Sequence, residues 1–81
     1  RYYVRLFVAD RPGVLAATAK VFGDNGVSLA SVIQQGAGEE TAELVYVTHT
    51  ARESDVRRAL EGIRAHEAVA RVESVIRVED L

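Results

Sequence analysis

Residues 10–15, with the sequence Asp-Arg-Pro-Gly-Val-Leu, are the part of the chain whose types and spacing best suit ligand chemistry. Proline is favoured in the first turn of a helix, and glycine lets another molecule approach the backbone closely. The N–H groups that open a helix carry the positive end of its dipole and can bind a carboxylate. The side chain of Asp10 could pair with an ammonium group. Together, these groups could recognise a zwitterion such as a free amino acid.

The same turn also has a purely structural interpretation. Asp10 could cap the helix and Gly13 could allow tight packing, which are the commoner uses of these residue types at such a turn. The hexapeptide alone therefore leaves a ligand site and a structural turn both open. For the ligand site, the Gly13 and Val14 N–H groups are predicted to hold the carboxylate. The candidate contacts from this turn are Asp10, Pro12, Gly13, Val14 and Leu15.

The flanking residues predict the elements that must position this turn. Alternating apolar residues predict strands, whereas apolar residues at helical spacing predict helices. Thr50 and Glu53 have capping-box spacing, which places the start of a second helix just after Thr50. The predicted order is a strand over residues 2–9, a helix over about 12–25, strands over 27–35 and 41–49, a helix ending near His66, and a strand within about 69–79.

Two strand-helix-strand units with right-handed crossovers predict a ferredoxin-like α+β sandwich of βαββαβ order. Its four-stranded antiparallel sheet would carry both helices on one face, in a single domain spanning residues 1–81. The second strand is expected at a sheet edge. The face away from the helices is too apolar to be left open, so a second copy, the rest of a parent chain or both should cover it. The residues predicted on that face are Tyr3, Arg5, Phe7, Val45, Val47 and Val75.

Size and composition favour a domain that works with partners. The chain has 81 residues, no cysteine and no methionine, and it begins at Arg1, so we expect it to be part of a longer chain. A domain of this size buries only about 60% of its unfolded surface and is marginal alone. Without cysteines, neither disulfides nor thiolate metal sites can add stability. Attachment to a larger chain or oligomerisation is therefore expected.

Several functions are disfavoured. Ten basic and 12 acidic residues are interspersed, which does not favour nucleic-acid binding. No apolar segment approaches the ~18 residues that span a bilayer, so a soluble, cytoplasmic protein without membrane contact is expected. His49 and His66 lie on different predicted elements without cysteine or carboxylate partners at metal-ligand spacing. No catalytic triad or cofactor fingerprint is present, so we expect no enzyme activity, metal or cofactor in these residues.

The hexapeptide is followed about one helix later by Asp-Asn-Gly-Val-Ser-Leu at residues 24–29, and this combination resembles the ACT domain family of amino-acid-sensing regulatory modules. The string Val-Ser-Leu-Ala-Ser-Val-Ile-Gln-Gln at 27–35, with Val-Thr-His at 47–49, is similar in particular to C-terminal regulatory domains of the homoserine dehydrogenase family. The resemblance covers nearly the whole chain. It implies allosteric control, by threonine or a related amino acid, of a parent oxidoreductase that uses NAD(P) elsewhere in its chain.

The resemblance also implies a homo-oligomer in which domains pair, often by joining their sheets side by side. The amino acid would bind between the first loop of one copy and the second strand of another, with Asp10 and Gly13 at family positions in that loop. Ser28 stands where many sensing ACT domains carry asparagine, and one hydroxyl offers fewer hydrogen bonds than an amide. Gln34 and Gln35 are candidates to compensate.

Two alternatives remain beside the sensor. The apolar open face and Ser28 would also suit a structural dimerisation domain that binds no ligand. As the other alternative, the domain could belong to a different enzyme of amino-acid metabolism. A stable dimer without any ligand response would distinguish the structural domain from both sensors.

Overall fold

The computed structural model describes residues 1–79 and contains the six predicted elements in the predicted order. Each predicted boundary lies within two residues of the observed one. The elements are β1 (Tyr2–Ala9), α1 (Val14–Asp24), β2 (Leu29–Gly36), β3 (Thr41–Thr48), α2 (Glu53–Ala65) and β4 (Val69–Arg77).

The strands form one antiparallel sheet in the order β2-β3-β1-β4. The predicted ferredoxin-like architecture is therefore confirmed, including the position of β2 at a sheet edge. The alternation in β1 agrees with burial, because Tyr2, Val4, Leu6 and Val8 are buried. These side chains form one core with those of both helices, including Phe22 from α1 and Ile63 from α2.

Local sequence explains where the helices end. Gly26 has a φ of 78°, and the Val27 N–H donates to the Phe22 carbonyl at 2.9 Å, so glycine supplies the left-handed residue predicted after α1. The second helix begins at Glu53, two residues later than the capping-box interpretation placed it. Its N-cap residue is Arg52, whose side chain makes no capping hydrogen bond within residues 1–79. In place of a side-chain cap, the negative charges of Glu53 and Asp55 lie in the first turn and interact favourably with the positive end of the helix dipole.

The placement of Val75 on the open face is wrong. Val75 pairs with the buried Val4 and lies beside Val56 and Leu60 of α2, so its side chain is on the helix side of the sheet. The β1–β4 register shifts on either side of Val72, and each shift breaks the two-residue alternation. The apolar residue that β4 contributes to the open face is Ile76, which pairs with Tyr3.

The open face carries an apolar end and a polar end. At the apolar end, the paired residues Tyr3 and Ile76 are 40% and 55% exposed. Ile33, on the edge strand β2, pairs with Val45 and is 59% exposed. At the polar end, Glu43 accepts hydrogen bonds of 2.7 Å from Arg5 Nε and from Gln35 Nε2. These bonds link three neighbouring strands. Glu43 as a whole residue is only 8% exposed.

The Glu43 network should make stability depend on acid pH. The hydrogen bond from Arg5, followed by that from Gln35, holds the pKa of Glu43 below its ordinary value of 4.5. A carboxylate whose pKa is lower in the folded than in the unfolded protein stabilises the fold above the unfolded pKa, and loses this contribution as the pH falls through the folded value. We therefore expect Glu43→Gln to lower the free energy of unfolding at neutral pH but not at strongly acid pH.

Urea unfolding of both proteins between about pH 7 and about pH 3 would measure this difference. Glu39→Gln is the matched control, because Glu39 is exposed in the loop before β3 and makes no hydrogen bond or ion pair within residues 1–79. A difference between wild type and Glu43→Gln that persists unchanged to the lowest pH would contradict the assignment.

Candidate functional site

The turn between β1 and α1 is held at both ends by backbone hydrogen bonds. The Asp10 N–H donates to the Glu40 carbonyl at 2.9 Å, and the Ala17 N–H donates to the Gly13 carbonyl at 2.9 Å. Gly13 is the N-cap residue of α1 and has a φ of 86°. This left-handed conformation favours glycine, so a valine at this position would be strained by the backbone alone. The turn therefore has a fixed shape that depends on Gly13.

The first turn of α1 leaves backbone donors free. The Val14 N–H makes a long hydrogen bond of 3.5 Å to the Arg11 carbonyl. Across residues 1–79, the N–H groups of Gly13, Leu15 and Ala16 have no acceptor. The set of free donors is thus larger than predicted, and it does not include the Val14 N–H.

A cavity of about 360 Å³ opens at this turn. All five residues predicted from the hexapeptide line this cavity. Gln34 of β2 and residues of β1 and β3 complete the lining. The lining residues are Val8, Ala9, Asp10, Arg11, Pro12, Gly13, Val14, Leu15, Gln34 and Leu44. Its volume lies within the range of about 300–1,000 Å³ that is common for small-molecule sites.

The structural interpretation of Asp10 and Gly13 does not hold in the form predicted. The N-cap is Gly13, so Asp10 does not cap α1. A Cβ atom on Gly13 would meet nothing within 4 Å, so Gly13 is not required for tight packing. The Asp10 side chain is exposed and makes no hydrogen bond or ion pair in the part of the chain that the structure describes. Arg11, its neighbour, pairs with Glu67.

The candidate residues on β2 are divided between different places. Gln34 pairs with Leu44 and lines the cavity. Gln35 follows it on the opposite face of the sheet and donates to Glu43. Ser28 precedes β2 at the other end of the strand, where its carbonyl accepts a 2.9 Å hydrogen bond from the His49 N–H. Within one copy, therefore, Gln34 reaches the cavity at the turn, whereas Ser28 and Gln35 do not.

The family model for the ACT domain matches residues 2–68 of this chain. This chain belongs to the ACT domain family. The fold agrees, because the ACT domain of a GTP pyrophosphokinase from Chlorobium tepidum has a TM-score of 0.71 at 12% identity, covering 89% of this chain and 92% of that chain.

The ACT domain also has relatives at higher identity. A homoserine dehydrogenase from Synechocystis is 50% identical over 78 residues, which are 96% of this chain and 18% of that protein. The crystal structure of a homoserine dehydrogenase from Thiobacillus denitrificans has a TM-score of 0.85 and 35% identity, covering 98% of this chain and 17% of that chain. The ACT domain thus spans about a fifth or less of the length of these relatives.

Sequence patterns did not reveal one polar pair beneath the site of this ACT domain. Thr18 lies on α1 and Tyr46 on β3; both side chains are fully buried, and their hydroxyl oxygens are 2.5 Å apart. The available signal was Thr18 itself, because it lies within the apolar stripe of α1. A threonine at such a position indicates a hydroxyl group that faces the core. Its partner could not be identified without the pairing of helix and sheet.

Other chemistries find no support in the described part of the ACT domain. No group of three or more His, Cys, Asp or Glu residues within residues 1–79 could hold a metal ion. None of the helices there is long and apolar enough to cross a membrane. The turn places neutral backbone donors and one carboxylate around a small cavity.

Proposed function

We propose that this ACT domain is the effector-binding regulatory domain of a cytoplasmic homoserine dehydrogenase, and that its effector is threonine or a related amino acid. The observation that carries the proposal is one cavity lined by Gly13 and Leu15, whose N–H groups have no acceptor within residues 1–79, and by Asp10, whose carboxylate has no partner within the same residues. The high identity to homoserine dehydrogenases supports the choice of parent enzyme.

In this proposal, the two charged groups of the amino acid bind different parts of the turn. The Gly13 and Leu15 N–H groups donate to its carboxylate, where the helix dipole adds to the attraction. Asp10 pairs with its ammonium group. Gln34 also lines the cavity, and its amide can both donate to and accept from a polar effector side chain, such as the hydroxyl of threonine.

A second copy would complete the site. Ser28 and Gln35 lie outside the cavity of their own copy, so either residue could contact the effector only from a paired domain. The exposed edge strand β2 offers backbone groups for such pairing. Binding between copies would favour one arrangement of the pair, and a coupling of about 1–3 kcal/mol to the catalytic domain would regulate it. The NAD(P) cofactor of the parent would bind outside this domain.

A structural dimerisation domain is the second candidate function. The exposure of the paired residues Tyr3 and Ile76, and of Ile33 on the edge strand β2, favours it, because monomeric proteins rarely leave large apolar patches uncovered. It predicts oligomers of the same size with and without any amino acid, and no heat of binding.

Isothermal titration calorimetry of the full-length protein against each proteinogenic amino acid tests the sensor. We expect L-threonine or a close relative to bind, and to change dehydrogenase activity at the concentrations where it binds. Threoninol, which lacks the carboxylate, and N-acetylthreonine, which lacks the ammonium group, should bind at least about tenfold more weakly, since each loses a charge-assisted interaction. Absence of binding by every amino acid at millimolar concentration would favour the structural domain.

A further inference from the structure

We infer that the buried hydroxyl groups of Thr18 and Tyr46 are positioning groups that orient the carboxylate-binding Leu15 N–H at the start of α1, Thr18 through the Val14 carbonyl and Tyr46 through Thr18. This inference rests on the proposed function and adds to it two residues that do not line the cavity. Their effect on the effector would pass entirely through the backbone of the first helical turn.

The two hydroxyl groups, which have one proton each to donate, lie within hydrogen-bond distance of two carbonyl oxygens of that turn and of each other. Tyr46 Oη donates to the Leu15 carbonyl at 3.0 Å. Thr18 Oγ1 lies 3.0 Å from the Val14 carbonyl oxygen and 3.1 Å from that of Leu15. The 2.5 Å contact between the two hydroxyl oxygens makes one network of the sheet and the helix.

These carbonyl groups belong to the same peptide units as two of the free donors. The Val14 carbonyl shares a planar peptide unit with the Leu15 N–H, and the Leu15 carbonyl shares one with the Ala16 N–H. Because each unit is rigid, fixing the carbonyl end also fixes the direction of the N–H at the other end. Of the N–H groups without an acceptor within residues 1–79, the network therefore bears on that of Leu15, which lines the cavity, and on that of Ala16, which does not.

The network should also strengthen these donors. A hydrogen bond accepted by the carbonyl polarises its peptide unit and makes the N–H a better donor, by an effect of roughly 10–30% per bond. Tyr46 can hold this role because it is fixed on β3 and its ring packs against Phe22 at a centroid distance of 5.0 Å. Burial raises the pKa of Tyr46, which keeps its hydroxyl protonated as a donor.

The test compares hydroxyl-deleting variants with a core variant in the full-length protein. Tyr46→Phe and Thr18→Val remove one hydroxyl each, whereas Thr18→Ser keeps the hydroxyl and serves as the conservative rescue. Ile63→Val, in the buried face of α2, is the control for a small loss of core stability that leaves the network intact. Circular dichroism and thermal unfolding would verify that each variant folds, and calorimetry would give its dissociation constant for L-threonine.

We expect Tyr46→Phe and Thr18→Val to raise the dissociation constant for L-threonine about three- to tenfold, the range for one lost hydrogen bond. Thr18→Ser and Ile63→Val should stay within about twofold of wild type, even where the melting temperature falls as far as in Tyr46→Phe. If Tyr46→Phe and Ile63→Val have equal affinities, the positioning role is overturned while the proposed function stands. If the wild-type protein itself does not bind L-threonine, threonine sensing and this inference both fail.

Discussion

Replacing Asp10 by alanine is expected to weaken the binding of threonine by about 30-fold or more without unfolding the protein. Asp10 is the only carboxylate that lines the cavity at the turn, so no described neighbour can replace it opposite the ammonium group. A hydrogen bond to a charged group contributes about 1.5–3 kcal/mol, and a loss of about 2 kcal/mol corresponds to that change in the dissociation constant. Because the Asp10 side chain makes no hydrogen bond or ion pair within residues 1–79, stability should change little.

Calorimetry with L-threonine and thermal unfolding of the same preparations would measure both effects. Asp10→Asn separates charge from shape, and it should lose nearly as much affinity as the alanine variant. Glu39→Ala removes an equal charge from an exposed position outside the cavity and should bind like wild type. If Asp10→Ala binds threonine as tightly as Glu39→Ala does, Asp10 has no role in binding.

The largest expected effect on stability comes from Phe22→Ala. Phe22 has no exposed surface, and its ring packs against Tyr46 at 5.0 Å and an angle of 53°. Truncation of a buried phenylalanine to alanine costs about 3–5 kcal/mol, through lost apolar burial and the cavity left behind. Domains of this size have a total free energy of unfolding of about 4–12 kcal/mol, so Phe22→Ala should remove a large part of the free energy of unfolding.

Urea unfolding of residues 1–81, followed by circular dichroism, would give the free energy of each variant. Phe22→Leu should lose clearly less than Phe22→Ala, because it keeps most of the apolar volume. Ile33→Ala removes a large apolar side chain that is 59% exposed and should cost less than about 1 kcal/mol in the monomer. Equal effects of Phe22→Ala and Ile33→Ala would contradict the placement of Phe22 in the core.

Sequence periodicity was sufficient for the architecture. In β1, the alternation of Tyr2, Val4, Leu6 and Val8 with less buried neighbours follows directly from the two faces of the sheet. The apolar spacing of the helices and the left-handed Gly26 likewise depend on local geometry. Such features depend on residues that are close in sequence. For this reason, the order of elements, the fold and the edge position of β2 could all be predicted.

Features that depend on pairing between distant segments could not be predicted. Val72 and Val75 lie on the same face only because the β1–β4 register shifts between their pairing positions, and no local pattern in β4 records this shift. The free donors of α1 depend on where its first hydrogen bond forms. Thr18 and Tyr46 are 28 positions apart, so their contact exists only once the helix packs on the sheet.

Under the proposed function, the alternation of β2 would let selection act separately on effector binding and on the pairing of copies. Gln34 lines the cavity, whereas Gln35 joins the Glu43 network on the opposite face. A substitution at one position can retune effector preference, while a substitution at the next can alter how the open face meets its neighbour. A change in ligand therefore need not disturb quaternary structure. An insertion or deletion of one residue in β2 would move each following side chain to the other face of the sheet. We expect β2 to tolerate this change least.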